Sequence, residues 1–334
     1  MREFIDALPE EARRLARRTP QPEWAAPMLA TLTERRFSGL AWIFERKLDG
    51  VRVLAFRRRG VVRLLSRNQL DVCGAYPEVM EALAADGPDF IVDGEVVAFD
   101  HGQTSFAKLQ QRMQLRDPER ARRTRVPIYY YVFDVIHAGG FDLRDLELRH
   151  RKLALRQLLR FERPVRLTSH RNREGEAYYE EACRKGWEGL IAKRVASRYV
   201  SGRSSDWLKF KCVNEQEFVI VGFTDPKGSR AGFGALLIGY HEDGRLRYGG
   251  KVGTGFNELI LRELRARLDQ LERDTPPVHG QGLPRKGIHW VEPQLVAEVG
   301  FTEWTREGQL RHPRFLGLRE DKSPQEVVRE RPAR

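Results

Sequence analysis

The chain has 334 residues, 41% hydrophobic and 32% charged, so it can build packed cores and its length favours two domains. Its 59 Lys and Arg outweigh 47 Asp and Glu to leave a net +12, which suits a polyanionic partner, nucleic acid before membrane. No apolar run is long enough to span a bilayer, and the opening residues mix acids with arginines, which predicts neither a membrane anchor nor a signal peptide.

Residues 3–18 carry an amphipathic helical pattern that Pro20 and Pro22 bring to an end. From 41 to 65 the period falls to two and predicts strands, joined at Asp49-Gly50 by a tight turn. A helix is expected at 77–84 behind Pro77, and 90–99 reads as two strand halves around Asp93-Gly94. Residues 105–123 are polar, arginine-rich and helical, and 127–136 read as a buried strand. Helices at 145–160 and 174–185 precede short strands at 189–194 and 206–211. Past Cys212 the character changes: β segments at 217–224, 234–243, 244–252 and 294–304 are separated by glycine-rich turns, with one helix at 256–272. Several short strands with one helix fit a small Greek-key barrel of the OB type, so a boundary is expected near 212–216.

Only 11 of the 59 cationic residues are lysines. Where arginine is the default cation, a retained lysine marks a place where arginine fails, because lysine can shed its proton or act as a compact point charge. The eleven are Lys47, Lys108, Lys152, Lys185, Lys193, Lys209, Lys211, Lys227, Lys251, Lys286 and Lys322. Lys47 ends an apolar strand just before Asp49-Gly50, with Arg52 on the returning strand. Burial and a neighbouring cation are expected to favour its neutral, nucleophilic amine. Taken alone, the segment reads more plainly as a surface lysine beside an ordinary hairpin. Further along, Ser66-Arg67-Asn68 follows a strand, Asp93-Gly94-Glu95 interrupts one, and Phe133-Asp134 lies within one. Glu188 and Lys193 mark the ends of a short strand, and Lys209 and Lys211 project from one face of the next. Each has an ordinary alternative as an edge charge, a core ring or a solvated face; their order in one chain raises them together.

Cys73, Cys183 and Cys212 are widely spaced, odd in number and outside any CxxC pair. That predicts neither a disulfide framework nor a zinc ribbon, and favours a reducing cytosol. Gly249-Gly250-Lys251-Val252 lacks the Gly-Lys-Ser/Thr of a P-loop and reads as a turn. The arginine runs at 57–59 and 120–125 read as solvated faces.

In this order the segments resemble the covalent nucleotidyltransferases, and most closely the ATP-dependent DNA ligases of the bacterial end-joining type. Lys47-Leu48-Asp49-Gly50-Val51-Arg52 is similar to that family's KxDGxR nucleophile motif. Asp93-Gly94-Glu95, the strand at Phe133, Glu188-Gly189 through Lys193, and Lys209-Phe210-Lys211 are similar to its later nucleotide-binding motifs. Arg311 through Phe315, with Arg319-Glu320-Asp321-Lys322, is similar to its last. The likeness runs from Pro27 to Lys322.

The resemblance implies an α+β chain: an antiparallel-sheet nucleotidyltransferase (adenylation) domain over 1–212 with an N-terminal helical extension, then an OB-fold β-barrel over 213–334. It implies that Lys47 takes AMP from ATP as a phosphoramidate, that the adenylate passes to the 5′-phosphate of a nick, and that the 3′-hydroxyl displaces AMP. In the implied site Glu45 reads the adenine amino group, Glu95 the ribose hydroxyl, and Arg52 and Arg67 the ribose and the nick phosphate. Phe133 stacks on the base; Lys209 and Lys211 hold the α-phosphate, with Lys193 beside them and Asp49 part of the nucleophile motif. Glu188, with Glu95, is the implied ligand of Mg²⁺ or Mn²⁺. Arg319, Asp321 and Lys322 serve the adenylation step from the OB domain.

The implied partners are nicked or broken double-stranded DNA and a Ku-like end-binding protein, with the chain a monomer in the bacterial cytosol, off the membrane. No separate DNA-binding, polymerase or nuclease module is expected within it. An RNA ligase or an RNA-capping guanylyltransferase stays open within the superfamily, and a non-catalytic nucleic-acid-binding protein outside it. Loss of the nucleophile or of a metal carboxylate marks that last case, and Lys47, Glu95 and Glu188 are all present.

Overall fold

The structure, a computed structural model, describes residues 3–85, 87–226, 228, 230–280, 282–284 and 287–332. Lys227 and Lys286 of the lysine set lie outside the described residues. The chain divides after Cys212 into two units, the second running from Val213 to Arg331.

Alternating apolar residues build two sheets in the first unit. One runs Phe141–Asp142, Ile128–Ala138, Phe90–Asp100, Val51–Arg58, Val61–Ser66, each strand antiparallel to the next. The other runs His170–Arg173, Gly39–Lys47, Gly189–Arg194, Gly202–Lys211, Met28–Leu32, antiparallel except for its last pair. Leu54, Phe56, Ile91 and Ile136 of the first sheet pack with Met28 and Trp207 of the second in one buried cluster. Along that side of the first sheet the register continues with Leu54 opposite Asp93 and Arg52 opposite Glu95. The layer that is apolar around Phe56 therefore turns charged at Arg52, Asp93 and Glu95.

The second sheet commits its other face to the core. Phe44, Leu190, Ala192 and Phe210 bury there against Tyr178 and Ala182 of the helix Gly175–Arg184. Period two then sends Glu45, Lys47, Lys193, Lys209 and Lys211 to the opposite face, and the buried Phe44 face fixes that register.

Several expectations are corrected. Gly94 lies inside one continuous strand, Phe90–Asp100, whose pairing with Ile128–Ala138 shifts register between Asp93 and Gly94; a Cβ there would stand 2.5 Å from the Tyr130 ring and 2.7 Å from the Tyr131 carbonyl oxygen. Gly50 answers to the same demand, with the Val96 carbonyl oxygen 2.2 Å from where a Cβ would sit. The pattern at 3–18 resolves into helices Glu3–Asp6 and Glu10–Leu15 and a short strand, Arg17–Arg18, since Pro9 interrupts the helix. Cys183 and Cys212 form a disulfide with Cα atoms 5.3 Å apart, against the expectation of none. The packing of Tyr178 and Ala182 on Phe210 brings that helix end and strand end together, which linear spacing conceals.

In the second unit Asn214–Thr224 pairs antiparallel with Leu236–Glu242 and with Val296–Phe301, which pair in turn with Arg245–Val252 and Arg314–Leu318. A bridge between Thr254 and Arg314 joins the outer edges, closing an OB-type barrel around Phe218, Ile220, Leu237, Val299 and Phe315. The helix Glu258–Asp269, capped by the Asn257 side chain on the Ile260 amide at 2.8 Å, packs Leu261, Leu264 and Leu268 into the same core. Gly249, Gly250 and Lys251, expected in a turn, lie inside the strand Arg245–Val252, where Lys251 pairs with Leu237. Among the described residues no helix is long and apolar enough to cross a membrane.

Candidate active site

Lys47 closes the strand Gly39–Lys47 and sits in register with Gly189, the neighbour of Glu188. Its ammonium is ion-paired to the Glu188 carboxylate, the two side chains 22% and 10% exposed. Burial pulls the Lys47 pKa down, but Glu188 outweighs it, with smaller help from Asp49 and Glu95, and the net shift is upward. The expected neutral amine is thereby corrected. A protonated amine has no lone pair to offer, so this ion pair would have to open for Lys47 to act as a nucleophile. The second oxygen of Glu188, Oε2, is buried without a hydrogen-bond partner.

The cation expected beside Lys47 is engaged elsewhere. Arg52 grips Asp93 with Nε on Oδ1 at 2.9 Å and Nη2 on Oδ2 at 2.5 Å, and Tyr199 donates its hydroxyl to Oδ2 at 2.6 Å. Asp93 is fully buried, and Glu95, in register with Arg52, is the partly exposed carboxylate of that segment. Phe133 is half-buried, with the Arg52 guanidinium 5.2 Å and the Lys193 Nζ 4.2 Å from its ring centre and Trp207 edge-on at 6.0 Å. Arg67 follows the strand Val61–Ser66 and is partly exposed.

Glu45 is buried between two lysines, with the Lys152 Nζ on Oε1 and the Lys193 Nζ 2.7 Å from Oε2. Burial alone raises its pKa; Lys152 and then Lys193 outweigh that and hold it below the usual carboxylate range. Lys193 is pushed down to about 8, by burial first and by the Lys152 cation, while Glu45 opposes the shift. Sequence reasoning gave Lys152 no role. It comes from the helix Leu148–Leu158, and its place in the short set of lysines was the signal available.

Lys209 and Lys211 are partly buried on the neighbouring strand. Lys47, Gly189 and Lys211 form one row across three strands, and Glu45, Ile191 and Lys209 form the next. The Cys212 amide donates to the Glu188 carbonyl at 2.9 Å, so the disulfide closes a loop that carries Glu188, Lys193, Lys209 and Lys211.

The last motif is held within the second unit. Arg319 donates to Asp321 through Nε and Nη2, both at 2.9 Å, and through Nη1 to Glu298 at 3.0 Å. Lys322 pairs with Glu217 at 2.8 Å.

Two sheets sharing a layer that turns from apolar to charged, followed along the chain by an OB-type barrel, are the build of the nucleotidyltransferases that work through a lysine. Within that class the chain belongs to the ATP-dependent DNA ligase family. Residues 27–211 match the family model for the ATP dependent DNA ligase domain, and 229–322 that for the ATP dependent DNA ligase C terminal region. The chain is similar to the multifunctional non-homologous end joining protein LigD of Pseudomonas aeruginosa, 42% identical over 325 residues, which cover 95% of this chain and 38% of that protein. The multifunctional non-homologous end joining DNA repair protein LigD of Mycobacterium tuberculosis is 41% identical over 315 residues, 91% of this chain and 40% of that one. The solved structure of mycobacterial DNA ligase D complexed with ATP and MES superposes with a TM-score of 0.65 at 36% identity, over 91% of this chain and 98% of that chain. The chain thus spans about two fifths of the length of these curated relatives.

Proposed function

We propose that this chain seals nicks in duplex DNA with ATP as co-substrate. The observation that carries the reading is Lys47 at its strand end, paired to a carboxylate whose second oxygen has no partner. In the first step the Lys47 amine attacks the α-phosphorus of ATP, a P–N bond forms, and pyrophosphate leaves. The AMP then passes to the 5′-phosphate of the nick, restoring the lysine, and the 3′-hydroxyl displaces AMP to close the strand. Such steps ask the protein chiefly to position groups and neutralise charge.

The lysine rows fit that demand. Lys209 and Lys211, in register with Glu45 and Lys47 across the sheet, hold the α-phosphate, and Glu95 with Arg52 and Arg67 receives the ribose and the nick phosphate. Glu45 accepts from the adenine amino group, and Phe133 supports the base. The unpartnered Oε2 of Glu188 fits a divalent cation such as Mg²⁺, with Glu95 the other carboxylate to hold it. An ion held by so few carboxylates would be completed by phosphate oxygens and water. Bound there, the ion supplies positive charge to the reacting phosphates. Lys322 serves the adenylation step from the OB unit, on a segment that Arg319 braces through Asp321 and Glu298, over the domain ranges 1–212 and 213–334.

The relatives named for end joining support broken as well as nicked duplex as substrate. The proposal adds, on the motif resemblance alone, a Ku-like end-binding protein as recruiter and a monomer in the bacterial cytosol. The test is a duplex with one 5′-phosphate/3′-hydroxyl nick, incubated with ATP and Mg²⁺ and resolved on a denaturing gel. A full-length strand is the expected product. No sealing, or faster sealing when the strands at the nick are RNA, overturns the reading.

A further inference from the structure

Glu45 is 2% exposed, Lys152 5% and Lys193 2%. A carboxylate so deeply buried takes up a proton unless cations face it. The protonated acid carries an O–H donor beside an acceptor oxygen and can pair with an amino or an oxo group; the ionised form offers acceptors only. Here each oxygen meets one lysine, and each retains a second lone-pair site for a donor on a base. Lys193 divides its ammonium between Glu45 and the faces of Phe133 and Trp207, at 4.2 and 3.9 Å from the ring centres. Lys152 is the cation that comes from outside the sheet. Its neighbour on the same helix, Arg151, grips Asp134 at 2.8 and 3.0 Å, next to Phe133. Two consecutive residues of one helix thus fix the strand of the ring and the strand of the carboxylate.

We propose that Lys152 is a positioning residue that keeps Glu45 an acceptor-only group, so that the site takes a purine with a 6-amino group and refuses one with a 6-oxo group. The inference rests on the ATP-site reading above and adds to it a residue outside the nucleotide-binding segments. A 6-oxo base sets its carbonyl oxygen against carboxylate oxygens, a mismatch of buried polar groups that discriminates by roughly a hundredfold or more.

The test follows self-nucleotidylation by intact mass, with Mg²⁺ and either ATP or inosine 5′-triphosphate, in the full chain and its Lys152→Met, Lys152→Gln and Lys152→Arg variants. The unaltered chain prefers ATP. Lys152→Met lowers the ATP-to-ITP ratio of kcat/KM by about tenfold or more, through a higher KM for ATP with little change in maximal rate. Lys152→Gln keeps a donor without the charge and shows the same drop, which covers the case of a Met variant that does not fold. Lys152→Arg keeps the cation and restores most of the ratio. An unchanged ratio in the Met and Gln variants, or equal losses with both nucleotides, overturns the inference and leaves the ATP-site reading standing. Absence of an adduct, or of any preference for ATP, in the unaltered chain overturns the reading of Glu45 and the inference with it.

Discussion

Two charged clusters in this molecule use the same residue types to different ends. In the first unit, Lys47 meets Glu188 through one carboxylate oxygen and leaves the other buried without a partner. In the second, Arg319 spends its guanidinium on both oxygens of Asp321 and on Glu298, and Lys322 is taken up by Glu217. Neither cluster is much exposed, so burial does not separate them; completeness does. An ion pair with a spare acceptor facing a row of lysines invites a phosphate or a cation. One whose hydrogen bonds are used up within its own barrel braces the fold.

The comparison breaks if substitutions in the two clusters have the same consequences. The largest effect is expected for Lys47→Arg, since a guanidinium keeps its proton: self-adenylation falls by roughly a thousandfold or more with little change in the urea midpoint. Arg319→Ala reverses the pattern. It strands two buried carboxylates and is expected to destabilise the OB unit by about 3–5 kcal/mol, read from urea unfolding. Its pH dependence sharpens the point. Burial raises the Asp321 pKa, but Arg319 outweighs it and holds the folded value below the ordinary one. The unfolded chain therefore binds the proton first, so the stabilisation is present above the unfolded pKa and is lost as pH falls through the folded one. Removing Arg319 should flatten that acid limb; an acid limb as steep as in the unaltered chain removes Asp321 from the account.

A smaller effect, about a hundredfold, is expected for Glu188→Gln on the rate of AMP transfer to Lys47, measured by quenched intact mass, with stability held. Loss of folding instead would make Glu188 a strut like Asp321. Lys322→Ala is the mildest: self-adenylation slows roughly tenfold while sealing of a pre-adenylated nick is spared. Equal losses in both reactions would place Lys322 with the braces.

The fold was readable where a single periodicity governed it. Phe44, Leu190 and Phe210 alternate with Glu45, Lys193 and Lys209, and that alternation alone assigns the charged residues to one face. Less readable was anything that depends on which elements meet. The sequence suggests a strand break at Asp93-Gly94, yet Asp93 anchors Arg52 and Tyr199 inside one strand, where Gly94 leaves room for the Tyr130 ring. Lys152 and Glu45 are 107 residues apart, and only the docking of the helix Leu148–Leu158 on the strand Ile128–Ala138 of the other sheet joins them. The disulfide escaped for the same reason. Lys47 was read from its own neighbours as neutral, when the group that sets its charge is Glu188, brought to it by strand pairing.

The central claim, that Lys47 is the residue that takes the nucleotide, is tested most directly by peptide mapping. The protein is incubated with ATP and Mg²⁺, quenched, digested and sequenced by tandem mass spectrometry. The account predicts a single AMP per chain, carried on Lys47, and none in the Lys47→Arg variant. An adduct on Lys193, Lys209 or Lys211, or an undiminished adduct in that variant, contradicts it.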